Sequence, residues 1–216
     1  MKTTLIMFYL LVSLSVYSQV RYGIEAGYIV NNVDAINVES KTKPSLRIGG
    51  FVRYDNNIET GIYFSRKGMS LTGFAPQYAD KIEKINFYGN YIELVPFSAD
   101  LVSNQKLIFD KLTWNFNVGF YVSYSLGAKG NVVIANENLE LNNIYKDTEL
   151  IINGEKYIFK AFNPFDFGTS VGFKFLLYDK FFIRAYTSLS FINMTKYDKK
   201  IQYNSICLSV GYMFQN

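Results

Sequence analysis

The chain has 216 residues, a formal net charge of +4 and a mean hydropathy near zero, and it contains no histidine and one cysteine. The lack of histidine removes the commonest general base and metal ligand, and together with the single thiol it excludes an ordinary zinc site. One thiol cannot form an internal disulfide, and the dispersed charge contains no basic block that would indicate nucleic acid binding.

The first residues have the pattern of a secretory signal peptide. Lys2 supplies the positive charge, and the apolar run from Leu5 to Val16 is followed by Ser18, a small residue suited to a cleavage site. The run is too short to cross a bilayer as a helix, which needs about 20 residues. We therefore expect residues 1–18 to be a signal peptide and residues 19–216 to form the mature domain.

Eight later segments alternate apolar and polar residues, which is typical of strands with one apolar and one polar face. The segments comprise residues 20–31, 44–55, 57–67, 88–102, 112–126, 163–178, 181–192 and 203–214. The fifth shows the pattern most clearly, with Trp114 and Phe116 on one face and Asn115 and Asn117 on the other. The pattern predicts an all-β fold.

The fourth segment keeps its alternation only if the phase shifts by one residue. Ile92 and Leu94 share one face, and Phe97 continues that face only after the shift. A β-bulge produces such a shift, and a bulge is one of the few places where a strand accepts proline. We therefore predict a bulge at Val95–Pro96.

No apolar-face position that defines the alternation is charged, and eleven charged residues share the polar faces. They are Arg21, Glu25, Arg47, Arg53, Glu59, Lys67, Glu93, Asp100, Asp166, Lys174 and Arg184. A charge facing lipid at mid-depth costs about 2–4 kcal/mol, so its exclusion from the apolar faces is typical of a lipid-facing surface. The pattern predicts an eight-stranded antiparallel up-and-down transmembrane β-barrel in a bacterial outer membrane. A soluble lipocalin-like binder, with the two faces reversed, is the alternative, but so small a barrel could not enclose the many bulky aromatic rings of the apolar faces.

The connections alternate in length, as in outer-membrane barrels with long outer loops and short periplasmic turns. The long ones comprise residues 32–43, 68–87, 127–162 and 193–202, and the short ones comprise 55–57, 103–111 and 179–180. This topology gathers aromatic residues near the periplasmic ends, as expected of an interfacial girdle. They are Tyr22, Tyr54, Trp114, Tyr178, Phe181, Tyr212 and Phe214.

Five short motifs resemble those of a known family. They are Glu59 to Gly68, Tyr91 to Leu94 with Pro96, Gly119 to Tyr121 with Tyr124, Asp166 to Gly168 with Gly172, and Gly211 to Phe214. In this order they resemble the small outer-membrane β-barrel proteins of Bacteroidota that include PorT-like proteins. The resemblance covers essentially the whole mature chain. It implies an outer-membrane barrel, and for a few members it implies an accessory role in protein secretion and gliding.

The inward charges are the first candidate site. Its residues are Arg21, Glu25, Arg47, Arg53, Glu59, Glu93, Asp100, Asp166, Lys174 and Arg184. Two of the carboxylates could act as a glycosidase pair. Alternatively, the carboxylates neutralise the inward cations, and we favour this interpretation because so narrow a lumen is filled by side chains and unpaired buried charge is costly. Inward glycines would make room for these long side chains, and Cys207 is expected to be an apolar filler rather than a reactive thiol.

The third outer loop is the second candidate site. Within residues 127–162, the stretch from Leu150 to Phe159 has the pattern of a hairpin around an Asn-Gly turn. Such a hairpin could extend the fifth and sixth strands as a ribbon whose edge pairs with a partner strand, or it could cap the barrel mouth. The candidate interaction residues are Leu150, Ile152, Asn153, Gly154, Tyr157 and Phe159.

These patterns together predict a non-enzymatic outer-membrane protein with no cofactor or metal. Its extracellular loops would form an envelope or interaction surface, for example as an accessory to secretion or surface assemblies. The alternative is a barrel that binds or transports a small solute. The expected partners are outer-membrane lipid, the barrel-assembly machinery during biogenesis and another envelope protein, but no nucleic acid.

Overall fold

The structure, a computed structural model, describes residues 20–34, 39–54, 57–72, 82–108, 112–134, 137–159, 161–195 and 201–214. The predicted signal peptide and the predicted mature terminus Gln19 lie outside these residues. Within the described ranges, no helix is long and apolar enough to cross a membrane.

The described residues form eleven strands. They are β1 (Arg21–Asp34), β2 (Glu39–Tyr54), β3 (Ile58–Thr72), β4 (Ile82–Ile108), β5 (Leu112–Ile134), β6 (Glu137–Leu141), β7 (Thr148–Ile152), β8 (Glu155–Phe159), β9 (Phe165–Leu177), β10 (Phe181–Ser190) and β11 (Gln202–Phe214).

Eight of these strands close into a ring. Strands β1, β2, β3, β4 and β5 pair antiparallel in chain order. β5 then pairs with β9, and β9, β10 and β11 again pair in chain order. The first and last strands then pair, with Tyr22 opposite Phe214 at one end and Asp34 opposite Gln202 at the other. The ring confirms the predicted eight-stranded antiparallel up-and-down barrel.

The predicted bulge in the fourth strand is confirmed. Leu94 pairs with Val122, whereas Phe97 pairs with Phe120, so Val95 and Pro96 together face the single residue Tyr121 and β4 has one extra residue. Leu94 and Phe97 both point outward despite their odd spacing, and Glu93 and Asp100 are both buried inside. The bulge therefore keeps two carboxylates on the inner side of the same strand.

We call the barrel end at Tyr22 and Phe214 the lower end and the opposite end the upper end. In the lower part, apolar side chains face outward and charged side chains face inward. Ile48, Ile62 and Phe120 are among the outward side chains and are between half and two thirds exposed. The predicted girdle residues Phe181, Tyr212 and Phe214 form a chain of ring contacts at the lower rim, with centroids 5.0 and 5.2 Å apart.

Strands β3, β4 and β5 extend further at the upper end than the sequence pattern predicts. β4 has 27 residues and β5 has 23, and both enter ranges that we predicted to be loops, 68–87 and 127–162. The sequence pattern did not predict this extension because the polarity of the two strand faces reverses there. In this extension the inward residues become apolar, as in Leu71 and Phe87, and the outward ones become polar, as in Lys84 and Lys129.

A charge placed on the outer face at mid-height tests which solvent that face meets. Phe120 is 52% exposed there. If it contacts lipid, Phe120→Arg should lower the free energy of unfolding from lipid vesicles by about 2–4 kcal/mol, measured by denaturant titration. The matched change Asn138→Arg, on the exposed part of β6 above the apolar band, should cost about 0–1 kcal/mol. Equal losses in the two variants would contradict a lipid-facing surface.

Candidate functional site: the charged lumen and its apolar cap

Glu59 is the centre of the ion pairs in the lower lumen. Arg53 Nη1 lies 2.8 Å from Glu59 Oε1, and Lys174 and Arg184 also donate to this carboxylate. The three cations stand on β2, β9 and β10, whereas Glu59 is on β3. The contacts therefore connect opposite walls of the barrel through one carboxylate.

Asp100 is held on the same level by cationic and neutral donors. Arg53 Nη2 lies 2.7 Å from Asp100 Oδ2, so this guanidinium bridges Glu59 and Asp100. Asn115 Nδ2 and Asn117 Nδ2 each donate to Asp100 at 2.9 Å. The two asparagines supply the hydrogen bonds that a buried carboxylate needs beyond its ion pair.

Arg47 organises the middle of the lumen. Its Nη1 lies 3.2 Å from Glu25 Oε1, and its Nη2 lies 2.8 Å from Glu93 Oε1. The guanidinium also stacks 3.2 Å above the ring centre of Tyr63. Arg184 Nη1 is 3.3 Å from Glu25 Oε2 and so connects this group to Glu59.

Lys67 and Asp166 form the uppermost pair. Lys67 Nζ lies 3.2 Å from Asp166 Oδ2 and donates to Ser123 Oγ at 3.3 Å. The rings of Tyr91 and Tyr121 surround the ammonium at 5.0 and 5.4 Å. Above this pair the lumen changes from charged to aromatic.

These ten residues, which we call the lumen network, are balanced in charge. The network comprises Arg47, Arg53, Lys67, Lys174, Arg184, Glu25, Glu59, Glu93, Asp100 and Asp166. It thus contains five cations and five carboxylates, each at most 7% exposed and each in at least one ion pair. Arg21, the remaining candidate, is partly exposed at the lower end of β1, and no ion pair reaches it in the described part of the chain.

The lumen network leaves little room for a ligand. A cavity of about 20 Å³ remains between Arg47, Lys67, Glu93 and Tyr121. That volume holds about one water molecule and is far too small for a sugar ring. The inward carboxylates are engaged with cations, so the arrangement suits a filled interior better than the glycosidase pair. Among the residues that the structure describes, no three His, Cys, Asp or Glu side chains are grouped to hold a metal ion.

Aromatic rings close the lumen below the network. Phe51 and Phe182 meet edge to face, with centroids 5.5 Å apart, and pack with Met213. The Phe51 ring lies against Gly23 and the Phe182 ring against Gly211, where a Cβ atom on either glycine would overlap the ring. These two glycines therefore let the rings cross the lumen. Cys207 is a buried free thiol in the wall.

An apolar cluster closes the upper end, and we call it the cap. It comprises Met69, Leu71, Ile85, Phe87, Ala128, Val132, Ile134, Leu141, Ile144, Ile152, Phe159, Phe162, Met194, Ile201 and Tyr203. Phe162 is central, with its ring 5.2 Å from Phe87 and 5.7 Å from Phe159. At the base of the cap, the hydroxyls of Tyr91 and Tyr145 are 2.7 Å apart. Burial raises the pKa of Tyr145 above its usual value, so this hydroxyl stays protonated in the neutral pH range.

The predicted hairpin exists as strands β7 and β8, in a sheet separate from the barrel wall. Asn153 and Gly154 form its exposed turn, both with positive φ. Ile152 and Phe159 are buried in the cap, and Leu150 and Tyr157 pack against it. The hairpin therefore does not extend the fifth and sixth barrel strands. Instead, β5 turns into β6, and the hairpin folds over the cluster.

Two exposed apolar residues of the hairpin, Ile151 and Ile158, were not among the interaction residues predicted from the sequence. Ile151 is 71% exposed and Ile158 is 58% exposed. They share the outer face of the hairpin with Glu149 and Lys156, whose ion pair measures 2.7 Å. The signal was present in the sequence, because alternation in a two-stranded hairpin must leave every second residue on the opposite face.

Comparisons with known proteins give architectural similarities only. No protein-family model matches this sequence, and no curated protein matches it. Among solved structures, it is similar to Ail, the attachment invasion locus protein of Yersinia pestis (13% identity, 90% of this chain and 98% of that chain, TM-score 0.48). It is also similar to Neisserial surface protein A (13%, 90% and 97%, 0.47) and to the outer membrane protein OprG of Pseudomonas aeruginosa (8%, 91% and 96%, 0.46).

Removing the central carboxylate tests whether the lumen network carries stability. Glu59→Gln leaves three buried cations around a neutral group, so we expect the free energy of unfolding to fall by about 3–5 kcal/mol. Adding Lys174→Met should recover part of this loss, because one unpaired cation disappears.

The matched control for this experiment is Glu149→Gln, which breaks the exposed pair with Lys156 and should cost about 0–1 kcal/mol. Denaturant unfolding of the refolded barrel measures all three variants. A loss for Glu59→Gln as small as that for Glu149→Gln would refute a stabilising role of the lumen network.

Proposed function

We propose that the protein is a non-enzymatic integral barrel of a bacterial outer membrane whose upper surface contacts another envelope component. The observation that carries this proposal is the reversal of polarity along the barrel. In the lower part apolar residues face outward and charges face inward, whereas in the upper extension the arrangement is the opposite. If the lower part lies in lipid and the upper part in water, the apolar residues of both parts avoid contact with water.

The other two functions are less compatible with this geometry. A solute channel needs an open lumen, whereas the lumen network and the cap fill this one between Phe51 below and Phe162 above. A soluble lipocalin-like binder needs an apolar interior and a polar exterior, and here the apolar side chains of the lower part point outward. The interaction function therefore concerns the outer surface of the molecule.

The element best suited to contact a partner is the β7–β8 hairpin. Its outer face presents Ile151 and Ile158 beside one exposed ion pair, and its two strands have no further sheet neighbour among the described residues. Such edges can pair with an added strand, and the two isoleucines would provide apolar contacts for it. The motifs that resemble PorT-like proteins favour a partner in a secretion or surface assembly. Contacts with outer-membrane lipid, and with the barrel-assembly machinery during biogenesis, follow from the location.

The experiment is extraction of the protein from native outer membranes in mild detergent, with cross-linking and identification of what co-purifies. Deleting the hairpin would also open the cap, so we choose the double variant Ile151→Thr with Ile158→Thr, which keeps β-forming residues on the exposed face. We expect a stoichiometric partner with the original protein and at least a tenfold lower yield of it with the double variant, since apolar interface residues dominate affinity.

The control for this experiment is Glu149→Gln with Lys156→Gln, two changes on the same hairpin face that remove no apolar area. It should retain the partner. Purification of the original protein as an isolated monomer, or equal capture by both double variants, would contradict the hairpin as the interface. Recovery of the protein in the soluble periplasm would contradict the membrane location.

A further inference from the structure

The outer wall of the barrel contains a basic groove just above the apolar band. The groove has a volume of about 570 Å³. Its charged and aromatic lining is Lys43, Arg66, Tyr88 and Lys129, and Phe64 and Leu126 form its apolar edge. None of these six residues belongs to the lumen network. Phe87 and Ala128 of the cap also line the groove, which therefore borders the cap.

Strand register creates the groove. Lys43, Gly68, Tyr88 and Lys129 are successive Cα partners across β2, β3, β4 and β5, so they lie at one level of the barrel. The Tyr88 ring lies flat over Gly68, in space that a Cβ atom would occupy. Lys43 Nζ and Arg66 Cζ stand 4.5 and 4.8 Å from the centre of this ring. The ring thus orders two cations side by side.

The cations of the groove lack carboxylate partners. In the described part of the chain, Lys43, Arg66 and Lys129 form no ion pair, and neither does Lys84, which shares the outer face of β4 with Tyr88. The lumen network is the opposite case, because all five of its cations are paired. Grouped positive charges without a counter-ion repel one another, and an anion bound between them would remove that repulsion.

The height of the groove indicates which anion can reach it. Arg66 lies about 20 Å along the barrel axis from Ile58 at the lower end of β3, given a rise of about 3.4 Å per residue and a tilt of about 40°. An apolar band in such barrels is about 25 Å tall. On the outer face, the apolar Ile62 and Phe64 lie below Arg66 on β3, whereas the polar Asn86 and Lys84 lie above its level on β4. The groove therefore opens where acyl chains would end and headgroups would begin.

We propose that the basic groove binds the phosphate-bearing sugar headgroup of a phosphorylated glycolipid in the outer leaflet. Guanidinium and ammonium groups are the usual phosphate ligands, and Lys43 and Arg66 offer one of each. The volume exceeds what a phosphate alone needs, and amide side chains line the remainder, as sugar hydroxyls require. They belong to Asn86, Asn90, Asn131 and Asn142. The acyl chains would run down the wall along Phe64 and Leu126.

This inference rests on the membrane location proposed above, and its test uses the mature protein in detergent with two probes. The first probe is a bis-phosphorylated diglucosamine glycolipid, and the second is the same glycolipid without phosphates. We expect native mass spectrometry to show at least about tenfold tighter binding of the first, because each cation near an anionic lipid contributes about a factor of five. The variant Lys43→Gln with Arg66→Gln should lose this preference, and Tyr88→Leu should weaken it.

The control is Lys146→Gln with Lys180→Gln, which removes two cations elsewhere on the surface and should keep the preference. Equal binding of the two glycolipids by the original protein would overturn the proposal, whether or not any variant folds. Inorganic phosphate that competes as well as the glycolipid would assign the groove to a free anion and overturn the lipid. A protein found in the soluble periplasm would instead contradict the proposed function.

Discussion

The rest of this structure depends on the cost of burying charge in a narrow barrel. Five cations and five carboxylates share a lumen in which none is more than 7% exposed, so each needs a partner within reach. Arg53 meets this need by bridging Glu59 and Asp100, and Arg184 does so by bridging Glu59 and Glu25. The wall adapts to the network, since the bulge at Val95–Pro96 allows Glu93 and Asp100 to point inward from one strand.

The inner and outer faces of the barrel wall exchange polarity once along the strands, which separates a lower part from the upper extension. In the lower part the interior is ionic and the outer face is apolar, whereas in the upper extension the interior is the apolar cap. The cap lies above the lumen network, and Lys67 with the surrounding tyrosines lies between the two. Both ends of the lumen are consequently closed, and the surfaces left for contact are the hairpin above and the wall at the boundary.

Much of the fold could be predicted from the sequence, because a period of two identifies strands and assigns their faces. The eight strands, the bulge and the inward direction of Glu59 and Lys174 all follow from it. The period did not indicate the upper extension, where alternation continues with the faces exchanged. It also could not identify contacts that depend on register between distant strands. Lys67 and Asp166, 99 residues apart, and the row from Lys43 to Lys129 are such contacts. The hairpin was predicted, but the choice of its buried face required the structure.

The central claim is that the ion pairs and the cap close the lumen, and conductance tests it most directly. The purified barrel would be inserted into planar lipid bilayers in simple salt, with insertion verified independently by protease protection. We expect no steady conductance at moderate voltages, because in the described part of the chain the network around Glu59 and the cap around Phe162 fill the lumen. A stable ohmic conductance in each inserted copy would contradict a closed lumen and would make solute transport the leading function.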